Sequence, residues 1–167
     1  MKNLSSISQL PRIPAVYALY GGQGTRAYVA YVGVADNLKA RIGQHLLSRD
    51  SSVATGTSAS GLNPGYVTEV KWWEHSDFTV RDVLEAAELI ALGVLDPALR
   101  SRGAITDKAR QLYATDDFQV RMRPIFQGEP TGHLILPSLE TAFDRITALE
   151  SRISALEHEH KARNTNK

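Results

Sequence analysis

Two runs of β-branched and aromatic residues, PAVYALY (14–20) and AYVAYVGV (27–34), flank the glycine-rich connection GGQGTR. Such runs around a glycine-rich turn predict an antiparallel hairpin. The chain then enters ADNLKARIGQHL, where Leu38, Ile42 and Leu46 recur at every fourth position. That spacing predicts a helix, capped by Asp36 or Asn37 and ending near Ser48. A third strand is expected at YVTEVKWW (66–73), followed by a helix from about Val80 to Leu95 that must stop before Pro97.

Further along, Thr106 or Asp107 is placed to cap a helix through Tyr113, a second short helix is expected over Asp117–Phe126, and HLIL (133–136) is a candidate short strand. Residues 49–65, RDSSVATGTSASGLNPG, are rich in Ser, Thr and Gly and predict a loop. The expected fold class is α/β (α+β): a small three-stranded antiparallel sheet flanked by helices, with a long C-terminal helix. The expected divisions are a domain over 10–102, a helical extension over 103–137 and an amphipathic helix over 138–162.

That last segment has its own pattern. Leu139, Ile146 and Ile153 fall at a positions, and Ala142, Leu149 and Leu156 at d, with Glu and Arg alongside. Nearly three heptads of this kind predict a short coiled coil and a homodimer. The alternative is a single helix folded back on its own domain, and Phe143, which widens the stripe, favours it.

The composition is that of a folded protein, with 43% hydrophobic and 22% charged residues in 167. No cysteine is present, so neither disulfides nor thiolate metal sites can form. No apolar run has the length of a membrane span, and no membrane partner is expected. A cytoplasmic protein is expected. The net charge of +1 argues against bulk electrostatic coating of nucleic acid. Between Met1 and Arg49, however, six basic residues stand against one acid, Asp36.

Within this locally basic stretch, Tyr17 lies in the first expected strand and Tyr31 in the second, so pairing can bring both phenols to one sheet face. Gly33 removes a side chain where backbone or substrate must come close. Arg41 and His45, four residues apart, share a helix face. A guanidinium can clamp a phosphate through two parallel hydrogen bonds, and an imidazole can orient a water or donate to a phosphate oxygen. Each residue is commonplace alone; their order and spacing point to phosphodiester chemistry.

The ordered set resembles the GIY-YIG nuclease family. Its first motif is matched by Ala15-Val16-Tyr17 and its second by Tyr31-Val32-Gly33. Arg41 matches the family's helix arginine, and His45 a histidine found in several restriction-type members. ELIALGVLDPALR (88–100) matches the helix that carries a metal-binding glutamate, with Pro97 and Leu99 in register. The resemblance covers about residues 14–100. It implies a Mg²⁺-dependent (or Mn²⁺-dependent) endonuclease acting on DNA, with Tyr17 as general base, Tyr31 orienting water or phosphate, and Arg41 stabilising charge on the phosphate. Glu88 would be the metal ligand. Glu85, one turn earlier, is the alternative ligand, although the downstream register favours Glu88. Arg100 stands where many members have an asparagine, so that contact is either lost or replaced by a phosphate-binding cation.

Overall fold

A computed structural model describes residues 1–22, 24–48, 64–99, 104–137 and 139–165. Most of the expected loop (residues 49–63) and Arg100 lie outside the described residues. The fold is mixed α+β. Its sheet has five strands rather than the expected three, in the order β1 (Lys2–Leu4), β5 (Gly132–Ile135), β4 (Val67–Trp73), β2 (Ala15–Gly21), β3 (Tyr28–Ala35). The three expected strands form its antiparallel centre and one edge. β5 extends it antiparallel to β4, and β1 adds to β5 in parallel. Lys-Asn-Leu carries no strand signal of its own; it is recruited by pairing with a segment 130 residues away, Lys2↔Gly132 to Leu4↔Leu134.

The described residues include five α-helices: α1 (Leu38–Gly43), α2 (Arg81–Leu95), α3 (Asp107–Tyr113), α4 (Asp116–Gln127) and α5 (Leu139–Thr165). Their starts follow local chemistry. Asn37 Oδ1 accepts from Ala40 N–H at 3.1 Å, and Thr106 Oγ1 accepts from Ala109 N–H at 3.1 Å. α2 ends on Asp96, whose φ of 44° is left-handed, directly before Pro97. Ala98 and Leu99 then donate their N–H groups to Val29 and Ala30 on the outer edge of β3.

Residues 1–136 form one compact unit and 137–167 another. In the first, β2 lies between β3 and β4 and is buried on both faces, so Ala15–Leu19 reads as a continuous apolar run rather than an alternation. Val16, Ala18 and Val32 face α2, α3 and α4, packing with Leu84, Ile90, Phe118, Met122 and Phe126. Tyr17, Leu19 and Tyr31 face the other way, with Trp72, Leu134 and the α1 residues Leu38 and Ile42. In the second unit, α5 exposes Leu139, Ile146, Leu149, Ile153 and Leu156. Among the described residues no helix is long and apolar enough to cross a membrane.

Candidate active site

The register of the hairpin decides where the two tyrosines meet. Tyr17 pairs with Gly33 and Leu19 with Tyr31, so the two phenols are diagonal neighbours on one face. Their ring centroids are 6.1 Å apart. Gly33 makes this possible: a Cβ there would lie 2.8 Å from the Tyr17 oxygen and 2.8 Å from Cε1 of Tyr31. The close approach expected at Gly33 is thus made by the two aromatic rings.

His45 completes the cluster from the far end of α1. The α-helix stops at Gly43 and the next turn, Gln44–Ser48, is a π turn. Arg41 and His45 therefore do not share one continuous α-helical face, yet both reach the tyrosines. His45 is 4% exposed, and its ring lies 5.7 Å from that of Tyr17 and 5.6 Å from that of Tyr31. Its Nε2 is 2.6 Å from the Tyr17 oxygen. Burial, reinforced by the Arg41 charge, lowers the His45 pKa to about 4, so the ring is neutral near pH 7. Burial, with the neighbouring Tyr31, holds the Tyr17 phenol well above its usual range despite Arg41. With both groups neutral, one hydrogen bond joins the Tyr17 hydroxyl to His45 Nε2, and the phenol donates it when the imidazole proton is on Nδ1. Arg41 pulls the Tyr17 pKa down, but desolvation outweighs the guanidinium.

Arg41 hydrogen-bonds both Tyr17 and Tyr31, and its Nη1 is 3.5 Å from Gln44 Oε1. It also lines a cleft of about 440 Å³, whose wall includes Asp36, Asn37, Gln44 and Arg81. Arg81 spans two acids there: its Nη1 lies 3.2 and 3.1 Å from the Asp36 oxygens, and its Nε 2.7 Å from Glu85 Oε1.

The two glutamates of α2 are in different situations. Glu85 also accepts the Thr106 N–H at 3.0 Å, so both of its oxygens are engaged and it ties α2 to the start of α3. Burial would raise its pKa, but the Thr106 N–H and Arg81 together bring it below the ordinary carboxylate value. Glu88 is 7% exposed and accepts no hydrogen bond among the described residues. Burial pushes its pKa up to about 7, with Glu85 adding to the rise while Arg81 and Arg41 oppose it. Arg41, Tyr17 and Glu88 thus act on one another electrostatically.

The resemblance implies a single Mg²⁺ or Mn²⁺. A buried carboxylate without a hydrogen-bond partner is a donor that such a cation suits, since magnesium takes one or two protein oxygens and keeps several waters. Among the described residues the Glu88 oxygens accept no hydrogen bond, whereas both Glu85 oxygens are engaged. Among the described residues no three His, Cys, Asp or Glu side chains gather as a metal cluster. Comparison with family models, with curated proteins and with solved structures found no match.

Sequence reasoning did not single out Arg81 or Gln44. A local signal existed for Arg81, four residues before Glu85 on a helix. Its second partner, Asp36, is 45 residues away and left no trace.

Proposed function

We propose that this chain is a Mg²⁺-dependent endonuclease that hydrolyses DNA phosphodiester bonds, with Tyr17, Tyr31, Arg41, His45 and Glu88 as its working residues. The observation that carries the proposal is the meeting of two phenols, one imidazole and one guanidinium with the Glu88 carboxylate, which accepts no hydrogen bond among the described residues. Arg41, on the cleft wall, would hold the scissile phosphate and stabilise the charge that grows on it. Tyr31 orients the phosphate or the attacking water. As Tyr17 takes a proton from that water, its own proton passes to His45 Nε2, so the phenol acts without having to ionise beforehand. The resulting imidazolium is disfavoured by Arg41 until a bound phosphate offsets that charge. Magnesium held on Glu88 would supply Lewis-acid stabilisation of the leaving oxygen. A homodimer through α5 would carry two such sites, one for each strand.

The deciding experiment incubates the full chain with Mg²⁺ and a panel of single-stranded, duplex and branched DNAs. The proposal requires nicking that is lost in both Arg41→Ala and Glu88→Gln while circular dichroism stays unchanged; cleavage retained by both variants sinks it. A second reading is a DNA-binding or protein-interaction module of the same fold with weak or absent cleavage. The net charge of +1 and the 0% exposure of Tyr17 favour it. Under that reading, titration with Mg²⁺ or Mn²⁺ leaves DNA intact and binding unaltered.

A further inference from the structure

Helix α5 presents its a and d residues to solvent, with Leu139, Ile146, Leu149, Ile153 and Leu156 each roughly half exposed or more. The charges beside this stripe follow the same heptads: Arg145 and Arg152 at g, Glu150 and Glu157 at e, all exposed. Arg145, Glu150 and Arg152 have no opposite charge three or four residues away, the only spacings at which a helix pairs its own side chains. None of the four makes an ion pair among the described residues. Apart from Glu157, which has Lys161 four residues on, these are charges that the helix cannot satisfy within itself.

We propose that α5 pairs with α5 of a second copy as a parallel, in-register, two-stranded coiled coil. In a parallel pair, g of one heptad lies against e of the next heptad on the other helix. Arg145 then meets Glu150 of the second copy, and Arg152 meets its Glu157; by symmetry each contact occurs twice. An antiparallel pair sets g against g and e against e, opposing Arg to Arg and Glu to Glu. The apolar seam agrees: after Leu139, isoleucine stands at a (Ile146, Ile153) and leucine at d (Leu149, Leu156), the arrangement that favours two parallel strands. Phe143, at e, flanks the small d residue Ala142 and adds apolar surface where that layer is thinnest. Both globular units then attach at the same end of the coiled coil.

This inference rests on the homodimer within the proposed function and not on its chemistry. The chain has no cysteine, so single cysteines report direction cleanly. Ala142→Cys and Leu156→Cys are made separately in the full chain and oxidised under mild conditions. A parallel pair gives a self-linked dimer with each variant. In an antiparallel pair each introduced thiol lies about 16 Å or more from its own copy, too far for a disulfide. Light scattering should give twice the 18.3 kDa chain mass. Glu150→Lys with Glu157→Lys should weaken self-association at least about tenfold, and mixing with an Arg145→Glu, Arg152→Glu chain should restore pairing as a heterodimer. A monomer, a larger assembly, no self-linking, or association indifferent to the charge variants overturns the inference. Nicking is measured on the same samples: a parallel dimer that does not cut DNA sinks the nuclease reading alone, and a monomer that cuts sinks this one alone.

Discussion

A hydrogen bond of 2.6 Å joins the Tyr17 hydroxyl to His45 Nε2 and ties β2 to the turn that follows α1. Both groups are buried, so deleting either removes the other's partner in this bond from a dry environment. His45→Ala and Tyr17→Phe should each cost about 1–3 kcal/mol in urea denaturation. Each should also lower DNA nicking by about 10²–10⁴-fold. The double variant should be barely less active than either single one, since the pair acts as a unit; multiplicative losses would show that the two do not share a proton path.

Gly33 is where packing and chemistry meet. A methyl group added at this position would come within 2.8 Å of the Tyr17 oxygen and of the Tyr31 ring, so Gly33→Ala should cost about 1–3 kcal/mol by overpacking. Nicking should fall by about 10²-fold through misplacement alone. Gly43→Ala is the control: nothing lies within 4 Å of its added methyl, and thermal denaturation should show it neutral or stabilised by up to about 1 kcal/mol.

Two buried groups pull stability in opposite directions with pH. His45, lowered to about 4 in the fold, binds fewer protons there than in the unfolded chain, so its contribution is complete above about pH 6.5 and is lost as pH falls toward 4. Glu88, raised to about 7, binds more protons when folded, so its contribution is present below about pH 4.5 and is lost as pH rises through 7. The slopes oppose each other between about 4.5 and 6.5. Glu88→Gln removes one of them: it should be more stable than the parent at pH 8, by about 1–3 kcal/mol, and should weaken steadily on acidification below 6.5. A variant no more stable at pH 8, read by chemical denaturation across this range, would contradict the burial assigned to Glu88.

Glu85 and Glu88 should separate by function. Glu85→Gln weakens the tie among Arg81, Thr106 and α2, and should lower stability by about 1–3 kcal/mol while leaving the Mg²⁺ concentration for half-maximal nicking unchanged. Millimolar Mg²⁺ should raise the Tm of the parent and of the Glu85 variant but not that of Glu88→Gln. A Glu85 variant that has lost its response to magnesium would reverse the assignment.

What was legible in the sequence was local. Asn37 and Thr106 cap their helices because a short polar side chain before an apolar period leaves few other choices, and Pro97 marks the end of α2 for an equally local reason. Tyr17 and Tyr31 share a face because pairing fixes parity along each strand. What escaped was long-range. β1 exists only through its pairing with β5, and the backbone N–H that engages a Glu85 oxygen comes from Thr106, 21 residues away. The π turn that carries His45 is likewise a change that no hydrophobic period encodes.

Because Tyr17 sits on β2, between β3 and β4 and buried on both faces, the proposed proton acceptor belongs to the part of the molecule that opens last. Amide hydrogens along β2 should exchange with solvent only on global unfolding. Partial loosening at the periphery would then spare the phenol, and activity would disappear in the same transition as the sheet rather than before it.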